Sequence, residues 1–275
     1  MVSVCFMHHM PKNTQYHINC ERGDLAQYLL VSGDPERLPK IAKNWNKAKE
    51  VSAHREFRAF TGTYKGTKLS AISSGIGPAA TSIVVNEAAN IGVTTFIRVG
   101  SCGALQENVE CGDLIISSAA VRLDGTSNWY VMPEYPAVAD YEVLLALVEA
   151  AESLGVRYHV GITATASDFY VGQSRTAFKD VHNPQYDNLI STLQKANVLN
   201  FEMETATLYV LCSVFGLRAG AVCAVYANRV TDKFQPYAGE EECIRVANEA
   251  VKILGRWDRR KRARKKRWLF PGLLG

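Results

Sequence analysis

The chain has 275 residues, of which 47% are hydrophobic and 21% are charged, so it can bury a large single core. Its longest apolar runs are too short to cross a bilayer and its start lacks the pattern of a secretory signal, which predicts a soluble, cytoplasmic protein. Its seven cysteines are scattered without a CxxC pair, which argues against a disulfide framework and against a zinc site.

The positive charge is concentrated at the end of the chain. Residues 256–275 hold nine of the 31 lysines and arginines but only one of the 27 acidic residues. The rest of the chain is therefore mildly acidic, although the whole chain has a net charge of +4. Such a short charge run is typical of a solvated, disordered extension, and nucleic-acid binding through it is the alternative. Since no Pro/Gly/Ser-rich linker divides the rest, we expect a disordered extension over residues 1–15, one domain over residues 16–255 and a basic tail over residues 256–275.

The first predicted strand is Tyr28–Ser32, and the turn after it has the features of an anion site. Gly33 and Pro35 separate this strand from a helical pattern that reaches about Trp45. Proline suits the first position of a helix, and helix N-termini attract anions. Arg37 lies in the first turn of that helix, so the pattern favours an anion at this junction, although it also occurs in ordinary turns.

A predicted hairpin opens at His54 and has its turn at Lys65–Thr67. The strand Leu69–Ser73 then leads into Gly75–Ala80, which matches the G-x-G-x-x-A form of the dinucleotide-binding fingerprint. That interpretation requires an acidic residue at the end of the next strand, but Arg98 and a glycine stand there. A turn that lets the backbone approach a smaller ligand fits better.

The next segment places a charge inside an apolar run. Thr94–Val99 predicts a buried strand, and Gly100–Gly103 predicts a glycine-rich turn after it. Arg98 cannot shed its charge at neutral pH, so it needs an anion to face. The free N–H groups of the turn and the hydroxyl of Ser101 would suit a phosphate, whereas an internal ion pair with a carboxylate is the alternative.

The second half of the chain continues the alternation of strands and helices. We expect strands at residues 113–121, 158–166 and 217–226, helices at residues 141–154 and 240–254 and from Glu204 to about Phe215, and irregular segments at residues 122–140 and 177–198. This order predicts an α/β fold with a largely parallel or mixed sheet, whose strand carboxyl ends gather ligand-binding groups. Five candidates fall at or just beyond such ends: Gly33, Gly75, Arg98, Phe169 and Arg229.

Two carboxylates, Glu202 and Glu204, precede the helix that reaches about Phe215. At least one should lie near the N-terminus of that helix, where the helix dipole stabilises negative charge. For Glu202, helix capping and a ligand-binding role are equally open. For Glu204, the sequence favours a ligand-facing role as an acceptor for hydroxyl groups.

Five motifs point together to one enzyme family. They are, in order, GDPER, AHREF, FIRVGSCGAL, FYVGQSR and NFEMETATL. In these motifs the chain resembles the nucleoside phosphorylases of the purine and uridine phosphorylase superfamily, most of all those that cleave uridine, over about residues 16–254. The resemblance implies a single α/β domain with a central mixed β-sheet flanked by helices. It also implies a homo-hexamer built as a trimer of dimers, with inorganic phosphate as co-substrate and no cofactor.

The implied reaction is phosphorolysis of uridine to uracil and ribose 1-phosphate, with phosphate attacking the anomeric carbon through an oxocarbenium-like transition state. The family pattern assigns phosphate binding to Gly33, Arg37, Arg98 and Ser101, with Arg55 contributed by a neighbouring subunit. It assigns ribose binding to Met203, Glu204 and, across the dimer, His17. It assigns base binding to Phe169, Gln173, Arg175 and Arg229. The residues expected to act in catalysis are Arg98, Glu204, Gln173 and Arg175.

The residues at the base favour a pyrimidine. Uracil leaves with negative charge on its carbonyl oxygens, which the amide of Gln173 and the guanidinium of Arg175 can stabilise. Purine-specific relatives carry an aspartate after the last strand, where this chain has Asn228-Arg229. A purine nucleoside or methylthioadenosine phosphorylase is the alternative within the family. A hydrolytic nucleosidase of the same fold would not need the phosphate-binding arginines.

Several positions depart from the family pattern. Ser101 and Cys102 stand where the nearest relatives often carry two threonines, and we expect phosphate binding to be retained because serine keeps the hydroxyl. Some members bind a monovalent cation through a glutamate that matches Glu56. Ala80 stands near that site where those members have serine, which weakens the prediction of a potassium site.

Overall fold

The computed structural model describes residues 14–274, which form a mixed β-sheet between layers of helices, and this confirms the predicted fold class. The strands are β1 (Tyr28–Ser32), β2 (Asn46–His54), β3 (Phe57–Tyr64), β4 (Thr67–Ser73), β5 (Thr95–Ala104), β6 (Leu114–Leu123), β7 (Ala137–Val138), β8 (Tyr158–Ala166), β9 (Val198–Glu202), β10 (Arg218–Asn228) and β11 (Lys233–Phe234). The helices are α1 (Arg37–Ala42), α2 (Pro78–Asn90), α3 (Tyr141–Leu154), α4 (Leu189–Lys195), α5 (Thr205–Val214), α6 (Glu240–Ala263) and α7 (Pro271–Leu274).

The sheet of the described chain has the strand order β11-β10-β6-β8-β9-β5-β1-β4-β3-β2, with β7 beside β6 and a further pairing between β10 and β5. β5 pairs in parallel with β1 and β10 and antiparallel with β9. Because β6 pairs with both β8 and β10, and β8 with β9, five strands close into a ring. Because β1 pairs in parallel with β4 and β5, and β5 with β10, the carboxyl ends of these four strands meet at one edge of the sheet.

Helices cover both faces of the sheet with apolar side chains. α1, α3 and α6 bury Leu38, Leu147 and Val251 in one core cluster. α2 and α5 bury Val84 and Val210 in a second cluster on the other side. Burying apolar surface on both faces is what stabilises a parallel sheet, and it leaves the strand ends as the open edge.

The glycine-rich segment Gly100–Gly103 is part of β5, so the prediction of a turn here is wrong. β10 pairs with it along its length, with Cys223 opposite Gly100 and Ala224 opposite Ser101. The sheet therefore takes up backbone groups that a turn would have left free. Glycine permits both conformations, and a partner strand more than a hundred residues away decides between them.

Two longer strands, β2 and β9, lie where none was predicted, as do the two-residue strands β7 and β11. Asn46–His54 forms β2 after α1 has ended at Ala42, whereas the helical pattern was expected to reach about Trp45. β2 is an edge strand with mostly exposed side chains, so it lacks the apolar alternation that would mark it. Val198–Glu202 forms β9, which lies between β8 and β5.

The C-terminal segment is folded, so the prediction that it is a disordered tail is wrong. α6 continues through the charge run to Ala263, and α7 follows it. Trp257 is only 2% exposed, and Leu269 and Leu273 are also buried in the core cluster of α3 and α6. These apolar side chains are interleaved with charged residues, which made the segment look solvated.

A buried ion network ties this segment to the body. Arg218 on β10 donates to both carboxylate oxygens of Asp258, at 3.0 and 2.7 Å, and to Glu142 on α3 at 2.9 Å. Tyr28 OH donates to Asp258 at 2.6 Å, and Lys261 pairs with Glu142 and Asp258. Burial favours the protonated form of Asp258, but hydrogen bonds from its cationic and phenolic partners outweigh it and hold the pKa of this carboxyl at about 2.

The structure also bears on both ends of the chain. No helix within residues 14–274 is long and apolar enough to cross a membrane. The predicted N-terminal extension, residues 1–15, lies outside the described residues except for Thr14 and Gln15. Gln15 accepts a hydrogen bond from Asn90 at 3.1 Å, so the folded domain includes it.

We expect Asp258→Asn to lower the free energy of unfolding by about 3–5 kcal/mol, because it removes one charge from a buried ion network and leaves its partners less compensated. The loss should be measurable by denaturant-induced unfolding at neutral pH. The pKa of Asp258 is lower when folded, so its stabilising contribution is complete above its unfolded value of 3.8 and is lost as the pH falls toward about 2.

The matched control is Asp180→Asn, which removes the same charge from an exposed position. It should change the free energy of unfolding by no more than about 0.5 kcal/mol. Equal effects of the two substitutions would show that the network does not hold the C-terminal segment in place.

Candidate functional site

A cavity of about 610 Å³ opens at the edge where the carboxyl ends of β1, β4, β5 and β10 meet. Its walls come from the β1–α1 and β4–α2 turns, the end of β5, the loop after β8, the β9–α5 junction and the end of β10. The cavity brings together nine of the predicted site residues: Gly33, Arg37, Arg98, Ser101, Phe169, Gln173, Arg175, Met203 and Glu204. Their individual roles stay predictions.

Arg98 faces two carboxylates in the wall of the cavity. Its Nε donates to Glu202 Oε2 at 2.7 Å, and its Nη2 lies 2.6 Å from Glu204 Oε2. All three residues are buried, with Arg98 5% exposed. The internal ion pair that was the alternative to a ligand site is therefore present, and it lies within the wall of the cavity.

Glu202 also stabilises the start of α5. Its carboxylate accepts the backbone N–H groups of Glu204 at 2.8 Å and of Thr205 at 3.0 Å, and it accepts the hydroxyl of Thr165 at 2.5 Å. This is the helix-capping role left open for Glu202, and the helix dipole favours it. Glu202 therefore joins the start of α5 to Arg98 and β8.

Glu204 is the second carboxylate of the pair and is the one predicted to accept hydroxyl groups. Its Oε1 accepts the backbone N–H of Gly77 at 2.6 Å, which places it against the β4–α2 turn. Burial raises the pKa of the Glu204 carboxyl, with Glu202 acting in the same direction and Arg98 against it. Burial disfavours the charge of Arg98, but Glu204 and Glu202 outweigh it and the pKa of this guanidinium is raised.

Gly100 allows Arg98 to occupy this position. A Cβ atom at Gly100 would lie 2.7 Å from Arg98 Cζ and 2.8 Å from Cys223 Sγ, which is closer than such atoms approach. A side chain here would therefore displace the guanidinium. The requirement for glycine at this strand position is steric and is not a requirement for a turn.

Arg37 is held by a second set of partners. Its Nε donates to Glu240 at 3.0 Å, its Nη1 donates to the carbonyl of Val99 at 3.0 Å, and its Nη2 donates to Tyr226 OH at 3.3 Å. Tyr226 in turn donates to Glu240 at 2.7 Å. These contacts fix the guanidinium beside β5, with few of its five N–H groups left for a ligand.

An amide and a guanidinium, those of Gln173 and Arg175, lie together in the cavity wall, with the guanidinium of Arg229 next to them. Arg175 Nη1 donates to Gln173 Oε1 at 2.7 Å and to the carbonyl of Phe169 at 3.0 Å, and its Cζ lies 4.1 Å from the centre of the Phe169 ring. Arg229 Nη2 donates to the carbonyl of Gln173 at 3.2 Å, while its Nη1 is buried without a partner in the described chain. This cluster therefore contains a buried N–H donor that lacks a hydrogen-bond acceptor.

Burial, together with the charge of Arg229, lowers the pKa of Arg175 to about 10. The guanidinium is still charged at neutral pH. Burial lowers the pKa of both Arg175 and Arg229, and two such neighbouring cations are typical of a site that receives negative charge.

Besides Arg229, three predicted residues do not line the cavity of the described chain. His17 pairs through Nδ1 with Glu87 at 2.6 Å, and Arg55 is exposed with its Nη2 3.4 Å from Tyr16 OH. Glu56 is exposed, and no group of three or more His, Cys, Asp or Glu residues within 14–274 is arranged to hold a metal ion. The roles predicted for these residues involve a second subunit and stay predictions.

Asn228 has a structural role that its sequence position did not indicate. Its Nδ2 donates to the carbonyls of Gln106 at 2.8 Å and Val109 at 2.7 Å, and its Oδ1 accepts the N–H groups of Val230 and Thr231. The amide is thus fully used in joining two loops. The replacement of an aspartate by asparagine at this position therefore bears on loop structure.

Sequence reasoning missed two residues of the site. Tyr226 lines the cavity at the end of a predicted strand, where the rule about strand carboxyl ends could have found it. Glu240 holds Arg37 from a position 203 residues away. No local sequence pattern can indicate an ion pair between residues so far apart in the chain.

Comparisons with known proteins match most of the chain to one family. The model of the Phosphorylase superfamily matches residues 27–256. The chain is 57% identical to a uridine phosphorylase of Thermococcus kodakarensis over 261 residues, covering 95% of this chain and 94% of that one. It is 40% identical to a uridine phosphorylase of Salmonella typhimurium, covering 89% and 97%. It is 36% identical to a guanosine phosphorylase of Halorubrum lacusprofundi, covering 86% and 93%.

We expect Gly100→Ala to weaken the binding of inorganic phosphate by about tenfold or more, because the new methyl group must displace the guanidinium of Arg98. Isothermal titration calorimetry with phosphate measures the effect. The matched control is Gly272→Ala, where a Cβ would meet Phe270 at an ordinary 3.5 Å and phosphate affinity should be unchanged. Wild-type affinity in the Gly100 variant would show that Arg98 does not contact phosphate.

Proposed function

The chain belongs to the phosphorylase superfamily, and from this premise we propose that it cleaves uridine with inorganic phosphate to give uracil and ribose 1-phosphate. The observation that carries the proposal is the shared cavity. One wall holds the buried Arg98 beside Glu204, and the amide–guanidinium pair of Gln173 and Arg175 lies in the same space. A phosphate, a ribose and a base that leaves as an anion each need one of these groups.

Phosphate is the nucleophile of the proposed reaction. It attacks the anomeric carbon as the bond to the uracil nitrogen breaks, and the bonding electrons leave with the base. Arg98 and Arg37 provide charge-assisted hydrogen bonds to the dianion, with the Ser101 hydroxyl and the backbone at Gly33 beside them. Arg98 is already paired with two carboxylates, so phosphate either binds beside them or replaces one of them as the partner of Arg98.

Glu204 provides the acceptor for the ribose hydroxyls. It is held in place by Gly77 and Arg98, so its free lone pairs have a fixed direction. Ribose hydroxyls that donate to Glu204 would hold the sugar between phosphate and base, with Met203 packed on it. Fixing the reacting groups in this way lowers the entropic part of the barrier.

The departing uracil needs stabilisation of negative charge on its oxygens. Gln173, Arg175 and Arg229 supply an amide and two guanidiniums, and the ring of Phe169 offers a face for the base. These groups interact more strongly as the charge develops, which is the condition for acceleration of the chemical step. The two uridine phosphorylases at 57% and 40% identity support a pyrimidine over the purine alternative.

The proposal includes a second subunit at each site. Arg55 and Glu56 form the β2–β3 turn, and a Cβ atom at Gly75 in the cavity wall would lie 3.0 Å from Glu56 Cγ, so this exposed turn is next to the cavity. In the predicted hexamer, Arg55 would reach the phosphate of a neighbouring subunit and His17 the ribose. No cofactor is proposed, the potassium site at Glu56 stays a prediction, and we place the reaction in the cytoplasm.

The experiment is an ultraviolet assay of base release from uridine and from inosine, each with and without phosphate. We expect release of uracil that depends on phosphate and is faster than release of hypoxanthine. Arg175→Gln should lower kcat for uridine by about 10²–10³, because it removes one fixed donor to the leaving base. Arg22→Gln, which removes an exposed arginine, is the matched control and should not change kcat.

Each alternative gives a different result in this assay. Faster cleavage of inosine would move the protein to the purine-specific branch of the family. Base release without phosphate would make it a hydrolase, and unchanged kcat in the Arg175 variant would contradict the assignment of the base-binding groups.

A further inference from the structure

The folded C-terminal segment presents a cluster of cations that the proposed reaction does not use. We call it the C-terminal basic face, and it consists of the exposed residues Arg256, Arg259, Arg262, Arg264, Lys265, Lys266 and Arg267. The first three lie on the exposed side of α6 at a spacing of three residues, which extends over about 9 Å at about 1.5 Å per residue. The other four follow at the end of the helix.

Most of this charge is not neutralised by the protein. Arg256 pairs with Glu149, whereas the other six residues of the face have no carboxylate within salt-bridge distance in the part of the chain that the structure describes. Asp258, the one acidic residue of the segment, is buried and engaged by Arg218. The face therefore carries a strong positive potential that can attract a polyanion.

The face is held rigidly on the protein. The network of Arg218, Asp258, Glu142 and Lys261 fixes the last turns of α6, and the Tyr141 hydroxyl donates to the carbonyl of Leu269 at 3.0 Å. A disordered charge run would lose conformational entropy on binding, whereas a folded one has lost it already. The charges are thus preorganised for a partner.

The chemistry of the face fits the phosphates and bases of a single strand. Five of its seven cations are arginines, whose planar guanidinium can contact phosphate through two hydrogen bonds. Beside them, Trp268 is 57% exposed with the Arg267 guanidinium 4.8 Å from its ring centre, and Phe270 is 44% exposed. Exposed aromatic rings among cations provide stacking surfaces for unpaired bases.

The apolar residues of the segment argue against a membrane surface as the partner. An interfacial anchor inserts its leucines into the bilayer. Leu269 and Leu273 are instead 7% and 1% exposed and belong to the core. Trp268 and Phe270 are the exposed large apolar side chains in the described part of the segment, and two aromatic rings suit stacking better than insertion.

We propose that the C-terminal basic face binds single-stranded nucleic acid, separately from the cavity that holds the nucleoside. The phosphate backbone would lie along the arginines of α6, and one or two bases would stack on Trp268 and Phe270. Binding of this kind does not depend on sequence and weakens steeply with salt.

The test uses the full chain and a fluorescently labelled oligodeoxyadenylate of about 20 nucleotides, with anisotropy measured from about 50 to 200 mM salt. We expect binding whose logarithm falls linearly with the logarithm of salt concentration. The combined variant Arg262→Gln, Arg264→Gln, Lys265→Gln, Lys266→Gln, Arg267→Gln should reduce the magnitude of this slope by about 3.5, at about 0.7 for each phosphate that the protein no longer neutralises. Trp268→Ala should weaken binding about tenfold without changing the slope.

The matched control removes five exposed lysines elsewhere on the chain, with the same change in net charge: Lys43→Gln, Lys47→Gln, Lys49→Gln, Lys68→Gln and Lys195→Gln. It should retain most of the affinity and the slope. Retained phosphorolysis in both variants shows that they fold. Equal losses in the two variants, or binding of phosphatidylserine vesicles by this face without binding of the oligonucleotide, would overturn the proposal.

Discussion

A guanidinium inside a sheet cannot lose its charge, and much of this molecule is arranged around that constraint at Arg98. Glu202 at the end of β9 and Glu204 at the start of α5 supply the negative charge. Each carboxylate is in turn fixed by another element, Glu202 by the Thr165 hydroxyl of β8 and Glu204 by the N–H of Gly77 in the β4–α2 turn. One buried cation therefore fixes four separate pieces of the chain at the same edge of the sheet.

This arrangement keeps the cavity both charged and rigid. Arg98 and Arg37 are oriented by carboxylates before any ligand arrives, so a phosphate dianion meets guanidiniums that need little reorganisation. The proposed reaction uses the same carboxylates on its other side, because Glu204 contacts both Arg98 and the space for the sugar.

The sequence predicted the parts of this site that follow local rules. The rule of strand carboxyl ends brought Gly33, after β1, and Phe169, after β8, to the cavity. The charge inside an apolar strand singled out Arg98, although Arg98 lies within β5 and not at its carboxyl end as expected. What failed depended on distant partners. Gly100–Gly103 is strand because β10 lies beside it, and the C-terminal segment is folded because Arg218 and the core engage it. Contacts made by a second subunit, such as those predicted for Arg55, are likewise absent from any local pattern.

Arg98→Lys tests the central role of this guanidinium most directly, because lysine keeps the charge but cannot donate to two carboxylates and phosphate in the same geometry. The measurement is kcat/KM for phosphate, with the Kd of uridine as a second readout that also reports folding. We predict a fall in kcat/KM for phosphate of about 10²–10³ with the Kd of uridine changed by less than about threefold. Wild-type kcat/KM for phosphate in this variant would contradict it.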